Sequence, residues 1–459
     1  MQVNDGALGI QWHITSNCLS RCKHCYMFDE NYQAQDCSFD DFYNMFLNVS
    51  NFCEKYNFTD NYSITGGSAL LNPDCEKILN LLYSNNKTVG IMDSPEMVND
   101  ENEKILISNR VENYQISLDG LKDTHDSIRG TGSFSRTIDA CRRLENSGFI
   151  PEIMYTATME NFNDLIPLCK FLIKALDSFK FCYDYAICIG NAASEKSIMP
   201  IEVFDNTMEE YYNFVSNYKN RSGQKIFSYK ATKFNTLQVL KDNTSFSAKA
   251  PVSHISGCLV GWSSICILEN GDVLPCRRMP IVLGNLKEES FENIFLQSPL
   301  LKKFRRYKKY LNGCKDCEYS PICRGCPAAQ YALFGDCFAR YPYCSHFKKS
   351  ENESADYVHM LDMNSSNEEE IELIKKTLDN QLLSNPYVFM ISNPNIVKAY
   401  AKIVQTNSKE EFLNNCSAWQ KRFGISLQEY ERRAIMKICL LKGLYFYPNA
   451  HAALRDSKV

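Results

Sequence analysis

The sequence predicts an α/β protein built on a parallel sheet, and three observations carry that prediction. Strand-like runs alternate with helix-like stretches over residues 8–200, the pattern of βαβ units joined by right-handed crossovers. Glycines punctuate the ends of two of the runs, at Gly66-Gly67 and Gly190. The chain has 459 residues, enough for two or three domains around a large core.

Each element has its own justification. In the first run Ile10, Trp12 and Ile14 alternate with Gln11, His13 and Thr15, the period of a strand with one apolar face. Ser38 and Asp41 resemble a capping box, and Phe42, Phe46, Val49 and Cys53 follow at helical spacing. Further strands are predicted over residues 62–65, 89–92, 111–118, 153–158 and 179–189, with helical stretches between them. On the fourth strand Tyr114, Ile116 and Leu118 share one face, and Gln115, Ser117 and Asp119 the other. On the sixth, Lys180, Cys182 and Asp184 alternate with aromatics and would face the interior, as substrate contacts or as an internal ion pair.

Composition narrows the function. A net charge of −4 argues against nucleic acid or an anionic membrane as partner. No run approaches the length of a membrane span, and the N-terminus lacks a charged-then-apolar signal pattern. A cytoplasmic protein is expected, in which the 21 cysteines read as metal ligands and buried hydrophobes rather than disulfides.

Just after the first strand come Cys18, Cys22 and Cys25, spaced C-x3-C-x2-C. Three thiolates on one loop can hold three corners of a 4Fe–4S cluster and leave one iron open. A structural zinc site needs a fourth ligand, and Cys37 lies at no standard spacing for one. The second half carries Cys258, Cys266 and Cys276, then Cys314-x2-Cys317-x5-Cys323-x2-Cys326, then Cys337 and Cys344. Asn270-Gly271 between apolar runs predicts a tight hairpin. The four clustered cysteines alone would also suit a zinc ribbon. The scattered cysteines, at 37, 53, 75, 141, 169, 182, 188, 416 and 439, fall mostly in apolar patterns and are expected in the core. The predicted organisation is an α/β domain over residues 1–200, a bridging helical segment over 201–250 and a cysteine-rich domain over 251–347. A helical extension follows over 348–459, opened by a polar linker and a Ser366/Glu369 capping box.

The triad, with His24 before its third cysteine and Tyr26 after it, resembles the radical S-adenosylmethionine superfamily. That resemblance implies a partial (β/α)6 TIM-type barrel with its chemistry at the C-terminal strand ends. It implies that the amino and carboxylate groups of S-adenosylmethionine chelate the open iron. One electron then cleaves the sulfonium, and the resulting 5′-deoxyadenosyl radical abstracts a substrate hydrogen. The protein binds, aims and excludes water. By the same resemblance Gly66-Gly67 meet the cofactor's amino group. The acid that usually follows is replaced by Ser68, which offers a hydrogen bond without the charge. Ser117 would face the ribose or carboxylate, and Arg129 would pair with the carboxylate through its planar fork. Gly190-Asn191-Ala192 resembles the adenine-side turn, and Tyr26 completes the cofactor-binding set. Asp93-Ser94-Pro95 stands where the third strand often ends in Thr-Asn-Gly.

The second cysteine set resembles the SPASM domain, which holds one or two auxiliary 4Fe–4S clusters. Its last gap is two residues here, Arg324-Gly325, where three are usual. The resemblance assigns Cys258, Cys276 and Cys326 to one cluster, with Cys266 a candidate fourth ligand. It assigns Cys314, Cys317, Cys323 and Cys344 to the other, with Cys337 competing for the last place. If Cys266 does not ligate, an open iron is left for a substrate thiol.

Enzymes of this type mostly act on peptides, so the expected function is maturation of a ribosomally made peptide (a RiPP maturase), with a thioether crosslink as the specific product. The auxiliary clusters would hold the substrate or accept the second electron. The expected partners are the precursor peptide and a reductant such as flavodoxin or ferredoxin. The triad begins at residue 18, so a leader-binding domain is not expected ahead of the barrel, and the tail would bind the leader or mediate dimerisation. One alternative is a sulfatase-type maturase forming formylglycine. Such enzymes place an aspartate base after the cysteine matching Cys276, whereas Arg277 and Arg278 stand here. A guanidinium takes no proton at neutral pH, and paired arginines suit a peptide carboxylate or an acidic leader. A second alternative is a non-catalytic iron–sulfur protein, motivated by Ser68 and residues 93–95. No residue is assigned a catalytic role.

Overall fold

The computed structural model of the protein describes residues 7–28, 33–194, 199–218, 223–229, 258–305, 310, 325–339, 341 and 344. Cys314, Cys317, Cys323, the bridge beyond residue 229 and the predicted helices of the tail lie outside the described residues.

Seven parallel strands run in chain order across one sheet: β1 (Ala7–Thr15), β2 (Thr59–Gly66), β3 (Thr88–Met92), β4 (Asn113–Ser117), β5 (Glu152–Ala157), β6 (Phe179–Tyr185) and β7 (Lys225–Tyr229). The crossovers carry α1 (Phe39–Lys55), α2 (Cys75–Ser84), α3 (Asp100–Ser108), α4 (Lys122–Arg129), α5 (Ser133–Asn146), α6 (Leu165–Ala175), α7 (Asn191–Ser194) and α8 (Ile201–Asn217). On the other side of β1 lies β8 (Ser264–Ile267), also parallel, followed by the antiparallel β9 (Asp272–Leu274) and β10 (Gly284–Asn285). The sheet has ten strands, with β10 and β7 at its two edges, so it is open. The predicted α/β class and parallel sheet are present. The sixth strand stops at Tyr185, short of the predicted 189, and the fourth starts at Asn113. β7 arises inside the segment read as a helical bridge.

The two faces of β1 explain how the sheet positions a site. Leu8, Ile10, Trp12 and Ile14 are buried, and Trp12 packs on Phe42 of α1 with ring centroids 4.3 Å apart. The predicted cap holds α1 in place: Ser38 accepts the Asp41 N–H at 3.2 Å. On the opposite face Gln11 and His13 lie in register with Ser63 and Thr65 of β2. His13, Thr15 and Thr65 are each at most 5 % exposed. A polar sheet face enclosed this way is costly unless it is satisfied by partners or a ligand.

Beyond β10 come α9 (Phe291–Gln297), α10 (Pro299–Phe304) and α11 (Pro327–Phe334). Phe52 of α1 meets Phe291 and Phe295 of α9 edge-on at 5.1 and 5.7 Å. The cysteine-rich region is thus joined to the first domain by helix packing as well as by β8.

Candidate active site

The cysteine loop leaves β1 at Thr15, whose hydroxyl donates to Asp36 at 2.5 Å while Asn17 Nδ2 donates to the same carboxylate. Within the loop the Cys25 N–H donates to the Cys22 carbonyl at 3.2 Å. Two sulfurs already accept hydrogen bonds: Cys18 Sγ from the Ser20 N–H at 3.4 Å and the Ser68 hydroxyl at 3.7 Å, and Cys22 Sγ from Arg129 Nη1 at 3.4 Å. Donors of this kind stabilise thiolate ligands, so the loop suits the 4Fe–4S cluster. Burial pushes the Cys22 thiol up, and the Arg129 charge works against that. Among the described residues no three His, Cys, Asp or Glu side chains converge on a single-ion site.

The glycines at the strand ends are required by the protein's own backbone. Gly66 has φ +140°, and a Cβ there would lie 1.8 Å from the Thr15 carbonyl oxygen; one on Gly67 would lie 2.0 Å from that of Asn17. The Gly67 and Ser68 N–H groups donate to those two carbonyls at 2.9 and 2.7 Å. Gly190, at φ +57°, presses on Cys25 and Tyr26, and the Asn191 N–H donates to the Cys25 carbonyl at 2.9 Å. Ala192 is fully buried beside it. The residues expected around a cofactor therefore first clamp the cysteine loop.

Asp119, fully buried after β4, is the hub of the site. Its Oδ2 accepts from His24 Nε2 at 2.9 Å and from Arg129 Nε, and its Oδ1 from the Thr156 N–H at 2.8 Å. Its own N–H donates to His125 Nδ1 at 2.9 Å, and Asn161 Nδ2 donates to its carbonyl at 2.8 Å. Burial alone would push this carboxyl up; the Arg129 and His24 charges outweigh it and hold it well below the carboxylate range. Arg129 thus links Asp119 to Cys22. Ser117, half-buried, shares the polar face with Gln115. Sequence reasoning placed Asp119 on the right face but missed its role. The signal was an aspartate at a strand end followed six residues later by His125.

A second group gathers around Tyr26. Arg277, next to Cys276, donates from Nη1 to Gln11 Oε1 at 3.2 Å and lies 5.8 Å from the Tyr26 ring centroid. No carboxylate pairs with it among the described residues. His13, whose ring centroid is 6.3 Å from that of Tyr26, has no hydrogen-bond partner on either ring nitrogen among them. Burial and the Arg277 charge hold its pKa down to about 3. Arg278 instead pairs with Asp184 at 3.1 Å, the internal ion pair considered for the sixth strand. Lys180 pairs with Glu152 at 3.1 Å and is 42 % exposed.

Cys266 is buried on β8 in register with Gln11, and Cys276 lies within electrostatic reach of both Cys266 and Cys326. Cys258 and Cys344 are half-buried. Cys337 donates its thiol to the Met279 sulfur at 3.4 Å, a packing contact. Tyr26 lies within electrostatic reach of Cys25 and of Cys266 and Cys276, so both cysteine sets come near it.

Comparison with known proteins agrees with this geometry. Residues 12–172 match the radical SAM superfamily, and residues 258–327 match the SPASM iron–sulfur cluster-binding domain. The chain is a radical S-adenosylmethionine enzyme carrying a SPASM domain, and its cofactors are 4Fe–4S clusters and S-adenosylmethionine. An AdoMet-dependent heme synthase of Methanosarcina barkeri is 25 % identical over 354 residues, 73 % of this chain and 95 % of that protein. The antilisterial bacteriocin subtilosin biosynthesis protein AlbA of Bacillus subtilis is 24 % identical over 335 residues, 69 % of this chain and 66 % of that one. Among solved structures, Streptococcus suis SuiB bound to S-adenosylmethionine shares the fold with a TM-score of 0.59 at 17 % identity, covering 74 % of this chain and 77 % of that one. The enzyme anSMEcpe with bound AdoMet does so with 0.58 at 16 %, covering 75 % and 92 %. Among the described residues no helix is long and apolar enough to cross a membrane.

Proposed function

We propose that this enzyme oxidatively modifies a ribosomally made peptide, forming a thioether crosslink. When bound to the cluster, S-adenosylmethionine supplies a 5′-deoxyadenosyl radical that abstracts hydrogen. The chain's own residues do the rest. Cys18, Cys22 and Cys25 hold the cluster, Asp119 fixes Arg129 against Cys22, and Arg129 Nη2 is left for the cofactor carboxylate. Gly66, Gly67, Ser117, Gly190 and Ala192 shape the cofactor pocket. Cys258, Cys276 and Cys326, with Cys266 a candidate fourth ligand, hold an auxiliary cluster, and Cys314, Cys317, Cys323 and Cys344 hold a second.

The observation that carries the reading is Arg277. It stands beside Tyr26 and Cys276 without a carboxylate partner among the described residues, which suits a peptide carboxylate. A guanidinium there cannot serve as the base that formylglycine formation needs. The likeness to AlbA supports a peptide substrate, as does the solved structure of SuiB bound to its precursor peptide SuiA. The test is an anaerobic incubation of the cluster-loaded enzyme with S-adenosylmethionine, dithionite and a cysteine-containing precursor peptide encoded beside it. Loss of two hydrogens from the peptide, mapped to a sulfur–carbon bond, is expected. A second reading, a heme-forming reaction, is favoured by the heme synthase relatives and their near-complete coverage. An iron porphyrin precursor in the same assay tests it: a changed porphyrin spectrum and an unchanged peptide would replace the first reading. If 5′-deoxyadenosine never forms, the non-catalytic reading takes over.

A further inference from the structure

The resemblance to the radical S-adenosylmethionine superfamily implies that the cofactor's amino group is received at the end of β2, where this chain has Ser68 in place of the usual acid. The structure offers an acid from the next strand. β2 and β3 pair with Ile64 opposite Ile91, and carrying that register forward sets Asp93 abreast of Gly66. Ser68 is fully buried; its hydroxyl lies 3.7 Å from Cys18 Sγ and 2.9 Å from Ser94 Oγ. Asp93, 9 % exposed, accepts the Leu70 N–H at 2.8 Å and the Ser94 N–H at 2.6 Å, and the hydroxyls of Ser68 and Ser94 lie close enough to favour its ionised form. Every one of these partners is neutral, and no lysine, arginine or histidine pairs with Asp93 among the described residues. A buried carboxylate served by neutral donors alone lacks its natural counterpart, a polarised or cationic N–H group. Burial accordingly pushes its carboxyl up to about 7.

We propose that Asp93, reaching through the Ser68–Ser94 hydroxyl pair, receives the amino group of S-adenosylmethionine in place of the acid missing at position 68. The inference concerns cofactor binding alone and stands whichever substrate is correct. The competing role is purely local: Asp93 pins residues 68–71 by taking the Leu70 N–H. The experiment therefore has to separate charge from shape.

Binding is measured by anaerobic equilibrium dialysis on the cluster-loaded, unreduced enzyme, with two probes. One is S-adenosylmethionine. The other is its analogue without the amino group, made by alkylating 5′-methylthioadenosine with 4-bromobutyrate. Asp93→Asn keeps the shape and removes the charge. It is expected to weaken S-adenosylmethionine about tenfold or more and to leave the analogue within about twofold of wild type. Equal weakening of both probes would reduce Asp93 to a loop anchor, and no weakening of either would remove it from the site. Iron content and the electron paramagnetic resonance of the reduced cluster report whether the variant is loaded. Should Asp93→Asn fail to load, the double variant Ser68→Glu/Asp93→Asn returns the acid to position 68. It is expected to load and to prefer S-adenosylmethionine over the analogue as wild type does. Loading without that preference overturns the proposal.

Discussion

At the scale of single residues, His13 and Asp119 show how differently buried titratable groups are handled. Asp119 is surrounded by donors, the Arg129 guanidinium among them, and stays ionised. His13 has no hydrogen-bond partner among the described residues, and Arg277 stands beside it, so it stays neutral. The sign of its pH dependence follows. In the unfolded chain a histidine takes up a proton below about 6.5, whereas folded His13 resists until about 3. Stability from this site is therefore complete at pH 7 and is lost as the pH falls through that window. Between pH 7 and pH 5 the loss is about 2 kcal/mol. Urea midpoints at the two pH values should converge in His13→Gln; an unchanged gap would mean that another group titrates. The cysteine spacing was fully legible in the sequence because all three ligands sit on one loop. Asp119 and Asp93 were legible only as positions, because their partners arrive from other strands and loops. Asp93 in particular registered as a departure from a motif rather than as an acid near the cofactor.

Among the elements, period-2 alternation located the first, fourth and sixth strands, and the Ser38 cap located α1, because both signals are local. The ends of strands four and six were set by contacts instead: after Tyr185 the backbone turns so that Gly190 can press on the cysteine loop. β7 escaped notice because five residues in a polar stretch carry too little pattern to outweigh their surroundings. The strand-end glycines, expected from the resemblance to lie at the cofactor, also let one loop approach another. Gly66→Ala should therefore push the Thr15 carbonyl aside and shift the cysteine loop. The expected result is a variant that retains its far-ultraviolet circular dichroism but loses most of its N-terminal cluster iron. Wild-type iron content in that variant would show that the loop tolerates the shift.

For the whole molecule, the unexpected feature is continuity. Sequence reasoning separated the first domain from the cysteine-rich one, but β8 extends the first sheet and α9 packs on α1. Nothing local in residues 264–267 announces a partner more than 250 positions earlier, since strand pairing is a tertiary choice. The join brings Cys266 and Arg277 to the polar face beside Tyr26. Phe52 sits at its centre. Phe52→Ala should cost about 3–5 kcal/mol and expose the junction, giving a lower thermal midpoint and faster proteolytic cleavage between residues 258 and 305. A midpoint within a degree or so of wild type would place the strength of the join in β8 instead.

The most direct test of the central claim is chemical. The cluster-loaded enzyme is given S-adenosylmethionine and dithionite without oxygen, and 5′-deoxyadenosine is measured beside a Cys18→Ala/Cys22→Ala/Cys25→Ala control. The expected result is 5′-deoxyadenosine from the enzyme and none from the control. A fully iron-loaded enzyme that forms none, or a control that forms as much, would contradict it.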